Sequence, residues 1–162
     1  DKEVKKPFDS VFIAASGQTL TVLASQLQYN NVDPKLTSFL GISSWEDKSI
    51  LSEPALEGGF FTNTSKKYQE DIKNIYRSSF KKEMPKVAMI AYDVLALLNS
   101  LDINDFKNYN VETLVNNQGY IGLRGLFRLK KNGIVERIFD INQIKKKKFI
   151  TYEKAGNSFS IE

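Results

Sequence analysis

Carboxylates, hydroxyls and lysines are the side chains of this sequence that could do chemistry, because its 162 residues include no histidine and no cysteine. This composition excludes Ser-His-Asp triads, zinc sites built on imidazole, disulfides and cysteine nucleophiles. Most familiar hydrolase chemistry is therefore absent, and any catalysis would have to depend on carboxylates.

Asp93 is the carboxylate that stands out, since it interrupts an apolar stretch in the middle of a predicted helix. As an acid catalyst it would need a partner such as Glu57 or Asp47, but spacing along a sequence does not fix the distance between two carboxylates in space. A structural role, in which the backbone or a lysine holds the Asp93 carboxylate, is favoured. We predict a protein that is not an enzyme, with no catalytic residue, no metal site and no cofactor.

Two polar turns each follow a predicted parallel strand. Ala15-Ser16-Gly17-Gln18 follows the strand at 8–15, and Ser43-Ser44-Trp45-Glu46 follows the strand at 38–43. Open α/β sheets bind ligands at the carboxyl ends of their strands. Small residues, hydroxyls and one aromatic ring there suit a cleft with backbone donors and a stacking wall. The predicted ligand cleft consists of Ser16, Gly17, Ser43, Ser44, Trp45 and Glu46; the alternative is that Trp45 only covers the end of the sheet.

The basic residues give a weak indication of nucleic-acid binding. The formal net charge is +4, from 23 basic and 19 acidic residues, and most of the basic ones are lysine rather than the arginine that nucleic-acid sites favour. The run Lys145–Lys148 could bind phosphate, but Ile144 and Phe149 on either side favour a solvated turn between two strands. We expect no nucleic-acid partner, and no membrane span, since no run approaches about 18 apolar residues.

The pattern of apolar residues predicts an α/β fold that ends in an antiparallel hairpin. Asn132-Gly133, between alternating apolar segments, is the clearest turn signal. Gly119, Gly122 and Gly125 are predicted to lie in a loop, and 45–56 in a loop or irregular helix. The predicted strands are 8–15, 38–43, 57–62, 126–129, 134–139 and 149–152, and the predicted helices are 19–29, 66–80, 87–101 and 110–117.

The order of these motifs resembles the second half of type I periplasmic solute-binding proteins, the Leu/Ile/Val-binding-like family. The resemblance covers nearly the whole chain. It rests on Phe8–Ile13, Phe39-Leu40-Gly41, Trp45, Leu56–Phe61, the pattern Tyr76…Phe80…Pro85…Ala91-Tyr92-Asp93, and the closing pattern Gly122…Gly125-Leu126-Phe127-Arg128…Asn132-Gly133…Arg137. Within the family, the Trp45 loop and the hairpin are most similar to a branch of penicillin-binding protein activators.

The resemblance implies that residues 1–162 are the C-terminal portion of a two-lobed protein, trimmed from a longer chain. About 1–63 would belong to one lobe, 65–118 would supply helices that return to the other lobe, and 119–162 would supply closing strands. The helix at 87–101 would turn one apolar stripe inward, formed by Val87, Ile90, Ala91, Val94, Leu95 and Leu98. Because the sheet of the other lobe is missing, we expect the stripes of both long helices to be exposed, and either packing to rearrange or a second copy to associate.

The resemblance also implies a non-enzymatic binding module in the periplasm, anchored as a lipoprotein in the full-length protein. An activator would have a peptidoglycan synthase as its partner, and Trp45 at the mouth would occlude the cleft. The alternative is the substrate-binding component of an ABC transporter for branched-chain or related amino acids. In that case the partner would be a permease, and Glu46 would pair with the ammonium group of a bound amino acid.

Overall fold

The computed structural model describes residues 7–101 and 111–159. The chain divides into two compact units, Asp1–Asn63 with Asp140–Lys154 and Thr64–Phe139 with Ala155–Glu162. Each unit has its own sheet. None of the helices within the described ranges is both long and apolar enough to cross a membrane.

The first unit is a five-stranded mixed sheet that supports helix α1. Its strands are β1 (Ser10–Phe12), β2 (Ser38–Gly41), β3 (Phe60–Asn63), β7 (Asp140–Lys145) and β8 (Lys148–Glu153), in the spatial order β1-β2-β3-β7-β8. Neighbours among β1, β2 and β3 are parallel, while β7 is antiparallel to β3 and to β8. The predicted strand–helix–strand unit with its parallel sheet is confirmed.

Helix α1 (Gly17–Tyr29) connects the first two parallel strands and buries Leu20 and Ala24. The segment predicted as a loop or irregular helix forms three short 3₁₀ helices, Ser43–Trp45, Lys48–Ser52 and Pro54–Leu56. Apolar residues of α1, of these turns and of the sheet form one core. Its largest fully buried side chains are Trp45, Phe39, Phe61, Leu20, Ile50, Leu56 and Ile144.

Strand β7 was not predicted, and it corrects the expected course of the closing segment. Its six residues alternate only loosely, and Ile144 is its one fully buried side chain. Its pairing with β3 and β8 therefore defines it more than its own apolar content does. The lysine run forms the turn between β7 and β8, as predicted, with Lys146 and Lys147 both in the left-handed region at φ 51° and 56°.

The described part of the second unit combines three helices with an antiparallel sheet. The helices are α2 (Glu70–Phe80), α3 (Lys86–Ser100) and the short α4 (Val111–Leu114), and the strands are β4 (Tyr120–Gly122), β5 (Gly125–Leu129) and β6 (Val135–Arg137). The Asn132-Gly133 hairpin is confirmed between β5 and β6. The predicted glycine loop is confirmed for Gly119, which lies outside the strands, and is wrong for Gly122 and Gly125, which pair at the end of a tight β4–β5 hairpin. Of the helix predicted at 110–117, the structure has Val111–Leu114, and residue 110 lies outside the described residues.

The buried face of α3 is the opposite of the predicted one. Met89, Asp93 and Leu97 are buried, and Met89 packs with Met84 and Leu123 in a small core. The stripe predicted to face inward is instead turned to solvent: Val87, Ile90, Val94, Leu95 and Leu98 are between 41% and 70% exposed. The expectation that the long helices expose apolar stripes in this chain is confirmed, since Ile75 and Phe80 of α2 are exposed as well.

The β7–β8 turn generates a prediction about stability. A side chain in the left-handed region costs about 1 kcal/mol or more, and glycine avoids that cost. We expect Lys147→Gly to raise the free energy of unfolding by about 0.5 to 1 kcal/mol, measured by urea denaturation.

Lys148→Gly is the matched control, because it removes the same charge from the first residue of β8. It should lower the free energy of unfolding by roughly 0.5 to 1 kcal/mol, as glycine does within strands. Equal losses in both variants would contradict the turn geometry.

Candidate functional site

The two polar turns predicted to form a cleft lie side by side. Strands β1 and β2 are parallel neighbours, and the Ile13 amide just after β1 donates to the Leu40 carbonyl at 2.8 Å. Beyond the strands, the Ser44 hydroxyl donates to the Ala15 carbonyl at 3.2 Å and joins the two turns directly. The structure thus brings the predicted residues of both turns to one edge of the sheet, the edge at the carboxyl ends of the parallel strands.

Ser16 and Gly17 begin α1 at this edge. Ser16 is the residue before the helix, where its carbonyl accepts from the Leu20 amide at 3.3 Å, and its side chain is exposed. Ser43, Ser44 and Glu46 are each half-buried. Hydroxyl groups and the first backbone amides of a helix at a partly open edge are groups that can bind polar atoms of a ligand.

Trp45 does not provide a stacking wall, and that part of the prediction is wrong. Its side chain is 0% exposed, and its indole nitrogen donates to the Ile13 carbonyl at 3.1 Å. The ring lies against the backbone at Gly41 and at Gly59. A Cβ at Gly41 would be 2.0 Å from Cε2 of Trp45, and a Cβ at Gly59 would be 3.0 Å from Cζ3 of Trp45. The indole therefore supports the turn from beneath and offers no face to a ligand.

Asp47 also lies at this edge, although its sequence position suggested only a catalytic partner for Asp93. One of its oxygens lies 4.0 Å from the position that a Cβ of Gly17 would occupy, so it stands beside the start of α1. Hydrogen bonds from the backbone and side chain of Ser49 lower the pKa of Asp47. The sequence does indicate this position of Asp47, because Asp47 directly follows Glu46. Neighbouring residues of one turn lie at the same edge of the sheet.

The other carboxylates singled out have structural partners. Glu57 accepts from the Lys146 amide at 2.7 Å and holds the β7–β8 turn. Asp93, in the second unit, accepts from the Leu123 amide at 2.6 Å. The predicted structural role of Asp93, with its carboxylate held by backbone, is confirmed. Within residues 7–101 and 111–159 no group of three or more carboxylates is arranged to hold a metal ion.

No protein-family model matches this sequence, and neither does any curated protein. Solved structures do match it. A putative branched-chain amino acid ABC transporter protein from Rhodospirillum rubrum aligns with 88% of the chain and 44% of its own length, at 13% identity and a TM-score of 0.69. The leucine-binding protein LivK from Thermotoga maritima aligns with 92% of the chain and 45% of its own length, at 17% identity and a TM-score of 0.58.

A third similar structure is the C-domain of LpoA from Haemophilus influenzae, a regulator of PBP1A. It aligns with 93% of the chain and 46% of its own length, at 17% identity and a TM-score of 0.63. The three structures confirm at the level of the fold both parts of the resemblance, to Leu/Ile/Val-binding proteins and to the activator branch. The chain spans less than half the length of these proteins.

The contact between Trp45 and Gly41 generates a second prediction. Gly41→Ala places a methyl group inside the indole ring's space, so either β2 or the ring must shift. We expect the free energy of unfolding to fall by about 2 kcal/mol or more, the range of overpacked cores. Urea denaturation followed by Trp45 fluorescence measures the change.

Gly156→Ala is the matched control, because its nearest neighbour would be 3.7 Å from the new methyl group. It should change the free energy of unfolding by no more than about 0.5 kcal/mol. A Gly41→Ala variant as stable as the parent chain would contradict the placement of the indole against β2.

Proposed function

We propose that the chain is the C-terminal portion of a two-lobed, non-enzymatic binding module of the bacterial envelope. Residues of about 1–63 would belong to one lobe, 65–118 would supply helices of the other, and 119–162 the closing strands. Two observations support this proposal. This chain aligns with less than half of a branched-chain amino acid ABC transporter protein, of a leucine-binding protein and of the C-domain of a regulator. The exposed stripe of α3 has the spacing of a helix face that packs on another element.

The exposed stripe gives this proposal its own test. In the isolated chain Leu95 is 66% exposed, so Leu95→Glu should change the free energy of unfolding by no more than about 0.5 kcal/mol. In the full-length protein the same carboxylate would be buried against the other lobe, and a loss of about 2 kcal/mol or more is expected. Urea denaturation of both proteins makes the comparison.

Leu97→Ala is the control for this comparison, because Leu97 is already buried in the isolated chain. It should destabilise both proteins by roughly 2 kcal/mol or more. If Leu95→Glu has the same small effect in both proteins, no other lobe covers the stripe and the proposal fails.

Ser16, Gly17, Ser43, Ser44 and Glu46 are the residues we propose for the ligand cleft, with Trp45 as the support beneath them. The observation that carries this proposal is the hydrogen bond from Ser44 to the Ala15 carbonyl, because it holds the two turns together at the ligand-binding edge of a parallel sheet. Closure of two lobes on such an edge would shift the protein between open and closed populations.

Among the members of this fold, a lipoprotein activator of penicillin-binding proteins in the periplasm is our first candidate. Its partner would be a peptidoglycan synthase. The resemblance of the Trp45 loop and the closing hairpin supports it, and so does the similarity in fold to LpoA, a regulator of PBP1A. The proposed cleft residues, all in the described part of the first unit, also include no exposed aromatic ring. A site for an apolar amino-acid side chain would favour such a ring.

The substrate-binding component of an amino-acid ABC transporter is the second candidate. Glu46 and Asp47 favour it, because Asp47 lies beside Gly17 and Glu46 precedes it in the same turn, and a carboxylate there could pair with the ammonium group of an amino acid. The two candidates differ in a measurable property, since only the transporter component needs a complete site for a free amino acid.

Thermal unfolding of the full-length protein separates the two candidates. A ligand of the folded state raises the unfolding midpoint with the logarithm of its concentration. For an activator we expect no shift with leucine, isoleucine or valine at millimolar concentration, and saturable binding of a purified class A peptidoglycan synthase to the immobilised protein.

Glu46→Gln is the variant that makes the result specific to the cleft. A shift with leucine that this variant abolishes would overturn the activator and establish the transporter component. If leucine raises the unfolding midpoint and Glu46→Gln does not change that rise, both the activator and the assignment of the cleft residues are overturned. Absence of both leucine and synthase binding would refute the activator proposal.

A further inference from the structure

The turn between β7 and β8 concentrates positive charge at one end of the first unit. This lysine turn consists of four consecutive residues, Lys145–Lys148, which are all exposed. The other lysines in the described part of the unit are Lys35, Lys48 and Lys154, and that part has no arginine. The positive charge is therefore a local feature of the hairpin and not a property of the whole unit.

The ammonium groups of the lysine turn are not neutralised by any carboxylate in the described part of the chain. The ion pairs among the described residues join side chains of the second unit. Glu57 does contact the turn, but its Oε1 accepts from the backbone amide of Lys146, at 2.7 Å. The four side chains can therefore interact with anions from outside the chain.

Lysine is an unfavourable choice for this turn as far as folding is concerned. Lys146 and Lys147 adopt the left-handed conformation, at φ 51° and 56°, which glycine and asparagine adopt more easily. Lys145 and Lys148 lie directly opposite each other on β7 and β8, and like charges in that arrangement are destabilising. Residues that work against local stability are expected at functional sites. The lysine turn therefore has the character of a binding surface.

The chemistry of the turn fits a surface with many anionic groups better than a nucleic acid. Lysine is a compact point charge, whereas bidentate recognition of phosphates and bases depends on arginine. The neighbouring ring of Phe149 is half-buried and packs edge-on against Phe61, with the ring centroids 5.4 Å apart. Bases of a single strand would therefore find no ring to stack on beside the lysines.

Strand β8 carries exposed apolar side chains beside the lysine turn. Ile150 is 36% exposed and Tyr152 is 65% exposed. Ile150 shares a face of the sheet with Lys148, because it follows that residue by two positions in the strand. Phe60, Gln143 and Ile150 form one cross-strand row, and the Tyr152 ring packs on Phe60 with the centroids 5.0 Å apart. Lysine next to tyrosine and an aliphatic side chain is a combination typical of bilayer interfaces.

We propose that the lysine turn binds the surface of a lipid bilayer that contains anionic headgroups. Each lysine near such a surface strengthens binding about fivefold, and Ile150 and Tyr152 would lie at the level of the headgroups. Because β7 is antiparallel to β3, the turn lies at the amino ends of the parallel strands, opposite the proposed cleft. A chain bound in this way would turn the cleft away from the bilayer. That orientation rests on the proposed cleft, whereas the binding itself does not.

Sedimentation of the 162-residue chain with large lipid vesicles tests the proposal. Vesicles of equal parts phosphatidylglycerol and phosphatidylcholine should bind the chain at millimolar lipid, roughly tenfold or more tightly than phosphatidylcholine alone. Raising the ionic strength to about 1 M, where the Debye length is about 3 Å, should abolish the difference. The neutral vesicles also measure any binding through the exposed stripe of α3, since that binding does not depend on lipid charge.

Lys147→Gly and Lys148→Gly separate binding from folding. Each variant removes one charge from the turn, so each should weaken binding to the anionic vesicles about fivefold. The two variants are expected to change the free energy of unfolding in opposite directions, because glycine is favoured at a left-handed position and disfavoured within a strand. A loss of binding common to both therefore cannot come from a change in stability.

Lys81→Gly is the matched control for net charge. Lys81 follows the last residue of α2, is exposed and has the same left-handed conformation, at φ 55°. Its replacement removes the same charge from the second unit and should leave binding to the anionic vesicles within about twofold. Glu46→Gln, in the proposed cleft, should not weaken vesicle binding, so failure of the cleft proposal and failure of this one are distinguishable.

Three results would overturn the proposal. The first is equal binding to anionic and neutral vesicles. The second is the same loss of binding in Lys81→Gly as in Lys147→Gly, because net charge alone would then explain the attraction. The third is tighter binding to a single-stranded DNA oligonucleotide than to the anionic vesicles at equal phosphate concentration, which would assign the lysine turn to nucleic acid.

Discussion

The burial of Trp45 is the constraint on which the first unit depends. A tryptophan side chain that is completely removed from water must find a partner for its indole N–H, and here the partner is the carbonyl of Ile13. That bond ties the turn after β2 to the end of β1. Gly41 and Gly59 are required because the ring occupies the space that their side chains would fill. The position of both polar turns follows from how this one ring is packed.

A comparable constraint organises the second unit around Asp93. Its carboxylate holds the Leu123 amide at the tip of the β4–β5 hairpin, and Gly122 must lack a side chain for the helix and hairpin to approach each other. The two constraints differ in their chemistry. Trp45 satisfies its only polar atom, whereas Asp93 leaves one oxygen without a donor in the described residues.

Sequence patterns predicted the elements whose own residues form a clear apolar run or a clear turn motif. The parallel strand–helix–strand unit, the Asn132-Gly133 turn and the lysine turn follow from local apolar runs and turn residues. Strand β7 was missed because its polar residues alternate weakly, and its place comes from pairing with β3. For the candidate site, the parallel pairing of β1 and β2 places the turn after β1 beside the turn after β2, where Ser44 donates to the Ala15 carbonyl. The burial of Trp45 was not predictable from its turn, since it depends on Gly41 at the end of β2 and on Gly59 just before β3.

The buried face of α3 was predicted wrongly for a different reason, and that reason bears on the proposed function of the chain. Apolar periodicity predicts which side of a helix avoids water, but it does not tell whether the partner of that side is in the same chain. In α3 the side buried within the unit includes Asp93, while the more apolar side, with Val87 and Leu95, is exposed. A helix with two faces suited to burial belongs between two layers. The other lobe that we propose would be the second layer, and with it both faces of α3 would be covered.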